Sequence, residues 1–340
     1  MSIFLKNLAA FLLGLVSVCV AIHACMPLPD VPQVKVKLQW LAAHPEEYDT
    51  IFIGSSRVRS GISPATYDAE MRSRGIPTRS YNFGIDAMTM PELSFVFDQV
   101  VTSNPRALRH VFIELNRVRW RLPELEGGTL REVYWHNPQY TALACEAALR
   151  DPRVPPSWHL TPPIISQHLS LMFANYGNLG RQSDLMKLGS QPITAPKPLG
   201  QDGTGFYPVA KCLTATDSVE LTQKLKVLAP WEQRGFFDDP VLINEVARLA
   251  KIIRSLGCQA YFIVAPSLDN WRYNGPGSPL ADDIVTFEFN DPSRFPALYL
   301  PEHRFDLQHL NTAGAEIFTK LLVTRMADYL ATTSEVSRAE

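Results

Sequence analysis

The sequence lacks any marked excess of charge: 32 Lys plus Arg stand against 34 Asp plus Glu, a formal balance of −2. A chain so balanced has no global positive field with which to displace counterions from a phosphate backbone, which argues against nucleic acid as a partner. Cysteine is sparse. Cys19, Cys25, Cys145, Cys212 and Cys258 form no Cys-x-x-Cys and no Cys/His pair at zinc spacing, so no metal cage is expected. Two of them fall in the apolar N-terminus; the other three allow at most one disulfide and read as core residues, the usual place for a free thiol. Also missing are a Gly-x-Ser-x-Gly elbow, a Walker loop, a dinucleotide glycine fingerprint after a strand and a His-Glu-x-x-His. Their absence disfavours an α/β-hydrolase proper, a nucleotide-dependent enzyme and a zinc protease, and no cofactor is expected. What the chain does have is length and apolar content, 340 residues with 46% hydrophobic, enough for a well-buried core. Proline is high at 27 and glycine ordinary at 18, a balance that points to long loops rather than low-complexity linkers.

Residues 8–26 (LAAFLLGLVSVCVAIHACM) contain no Asp, Glu, Lys or Arg and follow Lys6. About 20 apolar residues cross a bilayer as a helix, so this run reads as an export signal or a retained anchor. Ala21 and Ala24 suit a small-residue cleavage site, and residues 22–25 (IHAC) loosely match a lipoprotein box, so anchor, cleavage and lipidation all stay open. We divide the chain into a signal or anchor segment, 1–28, and an α/β body, 29–340. The segment makes the membrane a partner and sets the body outside the cytoplasm, at the inner membrane and facing the periplasm or the extracellular side.

Residues 36–43 read as a short amphipathic helix. Apolar runs at 48–53, 80–83 and 110–115 read as strands, the first two running into Gly54 and Gly84, with helices expected at 64–74 and 91–103 between them. The alternation argues for a parallel sheet whose crossovers cover both faces. The rhythm fails over 117–235, a Pro- and Trp-rich stretch read as an insertion or cap. It resumes with a helix at 239–256, a strand at 260–265, an apolar run at 284–289, a short strand-like piece at 297–300, and a last helix from 312 to 330. The aromatics of the insertion (Trp120, Tyr134, Trp135, Tyr140, Trp158, Phe206) suit a sugar-stacking cleft, a lid or a cap packed on itself. His136, His159 and His168 have no ligand spacing and read as solvated or core histidines.

In an open parallel sheet, ligands bind beyond the carboxyl ends of the strands. The residues delivered there are Gly54-Ser55-Ser56-Arg57, Asn82-Phe83-Gly84 and Glu114-Leu115-Asn116, with Asp306-Leu307-Gln308-His309 before the last helix. A serine needs a base to become a nucleophile. Histidine titrates in the right range, and a carboxylate fixes its tautomer. Ser56, His309 and Asp306 suit those three roles, and the Ser56 N–H, Gly84 N–H and Asn116 amide are the donors at hand for an oxyanion. The plainer readings are a turn at Ser55-Ser56, a left-handed backbone position at Gly84 and a capping cluster in which Asn311 opens the last helix. Arg57 and Arg59 suit an anionic substrate, or else pair with Glu114 or Asp86.

Together these blocks resemble the SGNH (GDSL-like) hydrolases, with the order Gly54-Ser55-Ser56, Gly84, Glu114-Leu115-Asn116-Arg117, Asp306-Leu307-Gln308-His309. Ser55 stands where the family has Asp, and Glu114 and Arg117 where it has Gly and Asp. A Gly-Ser-Ser block is similar to the membrane-anchored envelope branch, which includes the teichoic-acid D-alanyl transfer protein and polysaccharide O-acetylation factors. The resemblance implies a flavodoxin-like parallel sheet sandwiched by helices, with a large insertion after the third strand. It also implies a serine O-acyl esterase or O-acyltransferase working on an envelope polysaccharide or small acyl ester through an acyl-enzyme, with a multi-pass membrane acyl donor as partner. The alternative is an inactive SGNH-like envelope scaffold or glycan-binding protein.

Overall fold

A computed structural model of the chain describes residues 2–25, 31–116, 129–150, 161–179, 199–200 and 202–339. Five strands form one sheet: β1 (Thr50–Gly54), β2 (Ser80–Gly84), β3 (His110–Glu114), β4 (Gln259–Val264) and β5 (Thr286–Glu288). All neighbours pair in parallel, in the order 2-1-3-4-5, which is compatible with a flavodoxin-like arrangement. The central strands β1, β3 and β4 are buried on both faces, so their sequences read as largely continuous apolar runs rather than alternating ones.

Period-two alternation splits the strand side chains into two cores. Ile51, Ile53, Tyr81, Phe83, Val111, Ile113 and Phe262 face one side. They meet α2 (Pro32–Ala43), α5 (Met90–Thr102) and α10 (Pro240–Ser255) there. Phe52, Phe112, Tyr261 and Ile263 face the other, against α4 (Pro64–Ser73) and α11 (Thr312–Ala339). Each fully buried Phe or Ile contributes about 1.5–3 kcal/mol, so the two layers account for much of the driving force. The crossover helices start as the sequence predicts. Ser63 and Asp239 cap α4 and α10 through their side chains, with Pro64 and Pro240 at the first helical position. Helix α2 begins at Pro32, four residues before the expected start, because proline pre-sets the first-turn dihedral. The run 297–300, expected as a strand, is a 3-10 turn, Pro296–Tyr299. Pro296 has no N–H to give a ladder, and the turn lets the Tyr299 hydroxyl donate to the Ser267 and Phe289 carbonyls.

The segment 117–235 lies partly outside the described residues, as do Arg117, Trp120, Trp158 and His159 within it. Its described parts include four helices, α6 (Leu130–Val133), α7 (Pro138–Arg150), α8 (Thr161–Tyr176) and α9 (Ala215–Val227), with residues 202–214 in irregular backbone. Tyr134, Trp135, Tyr140 and Ala144 join the core beside α5, with Phe95 packed edge-on against both Tyr134 and Tyr140. These residues form neither a lid nor a self-contained cap. His136 and His168 are buried as a hydrogen-bonded pair. Of the cysteines expected in the core only Cys258 is buried; Cys145 is half-buried and Cys212 exposed, and all five are free.

The N-terminal helix α1 (Ser2–Cys25) is apolar on every side and lies outside the core. Its 23 residues Ile3–Cys25, with mean hydropathy 2.4, are long and apolar enough to cross a membrane or to serve as a signal.

Candidate active site

The carboxyl end of β1 turns directly into α3 (Ser56–Gly61). Ser55 is the N-cap, its hydroxyl accepting the Arg57 N–H, so Ser55 has a turn role and Ser56 becomes the first helical residue. Two buried carboxyl-side features hold this turn. Glu114, at the end of β3 and fully buried, accepts the Ser55 N–H at 2.5 Å and pairs with the Arg57 guanidinium at 2.7 Å. Asn82 of β2 donates its amide to the Val58 and Ile62 carbonyls of α3, at 2.8 and 2.7 Å.

The imidazole arrives from the other end of the chain. Arg304 and Leu310 pair as an antiparallel bridge, and between them the Phe305 N–H donates to the His309 carbonyl, so residues 305–309 form a closed loop. Arg304 lies wholly buried beneath it and donates to the Leu298 and Leu307 carbonyls. Asp306 Oδ1 accepts the backbone N–H of Gln308 and of His309. Asn311 then caps α11, its Oδ1 accepting the Gly314 N–H.

These two constructions meet. Ser56 Oγ lies 2.7 Å from His309 Nε2, and His309 Nδ1 lies 2.8 and 2.9 Å from the two oxygens of Asp306. An ionised carboxylate only accepts, so Nδ1 carries the ring proton and Nε2 presents its lone pair to the Ser56 hydroxyl. Partial burial works to raise the Asp306 pKa. The His309 ring and the two backbone N–H groups outweigh it and hold the carboxyl below its ordinary value. Phe305 stacks flat on the His309 ring at 5.2 Å and limits its rotation.

The oxyanion donors are placed less uniformly. The Ser56 N–H has no acceptor among the described residues. Asn116 stands two residues past β3, half-buried, and its amide makes no hydrogen bond among the described residues. Gly84 is different: its N–H donates to Asn82 Oδ1 at 2.8 Å, so it is not a free donor as expected from sequence. Glycine is required at that position because a Cβ would fall 2.2 Å from the Arg59 backbone nitrogen. Gly84 is not in the left-handed region, so the plainer reading from sequence does not hold; the need for glycine comes from the close approach of α3 to β2.

Both arginines are engaged by acids. Arg57 pairs with Glu114, and Arg59 with Asp86 at 2.6 Å while lying 4.1 Å over the Tyr207 ring. Burial weakens the Arg57 charge, but Glu114, Asp269 and Tyr273 outweigh it and raise its pKa. No group of His, Cys, Asp and Glu suited to a metal occurs among the described residues.

Three residues that build the rim are read incompletely or not at all by motif. Glu114 is foreseen as a partner for an arginine, but not its full burial under the Ser55 turn, and Arg304 in a charged run looks like surface. Lys37 of α2 is fully buried, its ammonium donating to the carbonyls of Asn82, Gly84 and Gly205 at 2.8–3.0 Å. Burial first, and Arg59 second, pull its pKa down to about 7 against the pull of Asp86. The one signal available was its place inside an apolar helical run.

Comparison of the chain with models of known protein families and with curated proteins returns no match in either case.

Proposed function

We propose that the protein is a serine-dependent O-acyl esterase or O-acyltransferase of the SGNH-like kind, acting on an envelope polysaccharide through an acyl-enzyme. The observation behind this reading is the linear arrangement of Ser56, His309 and Asp306 at the carboxyl edge of a parallel sheet. His309 Nε2 takes the Ser56 proton as Oγ attacks an ester carbonyl, and Asp306 stabilises the imidazolium that forms. The imidazolium returns the proton to the leaving alkoxide, leaving the acyl group on Ser56. Water or a glycan hydroxyl, deprotonated in turn by His309, then releases it. The Ser56 N–H and the Asn116 amide are the donors available for the tetrahedral oxyanion. Hydrolysis and transfer share this acyl-enzyme and differ in how fully water is excluded. The reading includes a body outside the cytoplasm, held at the inner membrane by α1 and supplied with acyl groups by a multi-pass membrane partner.

The commitment of the Gly84 N–H to Asn82 favours the second reading, an inactive envelope scaffold or glycan-binding protein, because it removes one expected oxyanion donor. A fluorophosphonate probe separates the two. Labelling of the folded chain that disappears in Ser56→Ala supports the enzyme; a folded chain that is never labelled supports the scaffold.

A further inference from the structure

Helix α8 carries no Asp, Glu, Lys or Arg, and nor does any residue from 154 to 180, a stretch bounded by Arg153 and Arg181. Its inner face is committed: His168 is buried against His136, and Asn175 donates to the carbonyls of Tyr134 and His136. Its exposed side carries a bare apolar stripe beside the polar Ser166, Gln167 and Ser170. Leu169, Phe173 and Tyr176, spaced i, i+4 and i+7, are 39%, 68% and 47% exposed, and Leu179 follows at 63%. A helix facing water would carry charge along that stripe.

A second set of contacts tells what covers it. The end of α8 is tied to α1: His23 Nε2 donates to the Asn175 carbonyl at 2.9 Å, and Asn178 Nδ2 to the Cys19 carbonyl at 3.2 Å. The His23 and Tyr176 rings lie 5.7 Å apart. At 1.5 Å per residue Cys19 is about 9 Å short of the end of α1, and the whole apolar helix is about 34 Å long. That slightly exceeds the roughly 30 Å hydrocarbon thickness, so Cys19 and His23 fall at the boundary of acyl chains and headgroups. Amphipathic surface helices sit about 5–10 Å into that boundary.

We infer that α8 lies along the membrane surface on the side of the body, with Leu169, Phe173, Tyr176 and Leu179 among the lipid acyl chains. The inference rests on α1 being kept as a membrane helix. At about 24 Å, α8 is too short to span, and its His168 side is fixed to the body. Attachment is driven by apolar area, since the helix itself offers no cation to anionic lipid. Two attachments hold the body at a set angle where α1 alone would let it swivel.

The test uses the full chain in phosphatidylcholine vesicles, its native cysteines exchanged for serine or alanine. An NBD label is placed in turn at Phe173→Cys, at Gln167→Cys on the exposed polar side, and at Leu13→Cys in α1. Acyl-chain nitroxide lipids should quench positions 13 and 173 at least about twofold more than 167. Quenching at 13 with position 173 behaving like 167 overturns the inference while leaving α1 in the bilayer. No quenching at 13 or 173 places α1 outside the bilayer and overturns it too. Neither result touches the reactivity of Ser56, which the fluorophosphonate probe reads separately.

Discussion

Asp306 uses one oxygen twice, closing its own loop through two backbone N–H groups and facing the His309 ring. An Asp306→Asn exchange keeps an oxygen for the loop but turns an amide donor toward Nδ1, which forces the imidazole into the wrong tautomer. We expect the fold to survive and ester turnover to fall by about ten-thousandfold, measured as kcat against a small acyl ester. Glu114 gives the opposite pattern. In Glu114→Gln the Arg57 charge loses its closest partner inside the rim, and breaking such a buried pair costs about 3–5 kcal/mol. Urea unfolding should show that loss; an unchanged midpoint would mean Arg57 is held by Asp269 instead. At this scale the three side chains that meet, Ser56, His309 and Asp306, are legible in the sequence because the chemistry proposed for them leaves few residue types to choose from, and Glu114 is legible as a partner for an arginine. Asn82 and Lys37 are not, since their importance comes from burial that only the fold creates.

At the scale of elements, strands and crossover helices are readable because the strands are short apolar runs, four of the five ending at a glycine or acid, and the crossover helices open on a proline or a cap. The reading loses hold where four apolar residues sit between prolines, as at 297–300, because such a run has no period to distinguish strand from turn. It also reads 117–235 only as an insertion or cap. Tyr134, Trp135, Tyr140 and Ala144 fill the core beside α5, and the Thr204 carbonyl accepts the Asn82 N–H along the outer edge of β2. Gly205 beside it adopts φ +83°, and a Cβ there would strike the Asn82 carbonyl at 2.0 Å. Removing 122–223 is therefore expected to abolish cooperative unfolding by circular dichroism. A truncated chain that melts cooperatively and still cleaves a small acyl ester would return the segment to the status of a cap.

For the whole molecule, acid stability hinges on the His136–His168 pair. Burial first, and the neighbouring His168 second, pull the His136 pKa down from 6.5 to about 3, against the hydrogen bond to the Glu132 carbonyl. Between those values the unfolded chain binds a proton here that the folded chain refuses. The contribution of this pair to stability is therefore complete above about pH 6.5 and is lost as pH falls toward 3. Denaturation midpoints of the full chain in detergent should follow that slope, and His136→Gln, neutral throughout, should flatten it. Lys37 sets a different limit. Because α2 plugs its ammonium into the Asn82, Gly84 and Gly205 carbonyls at the carboxyl edge of the sheet, the fold begins no later than that helix. A peptidase that clips between 25 and 31 would keep those contacts, whereas a cut beyond Lys37 would leave a frayed rim, so any processed form that keeps the Ser56 rim should start ahead of α2.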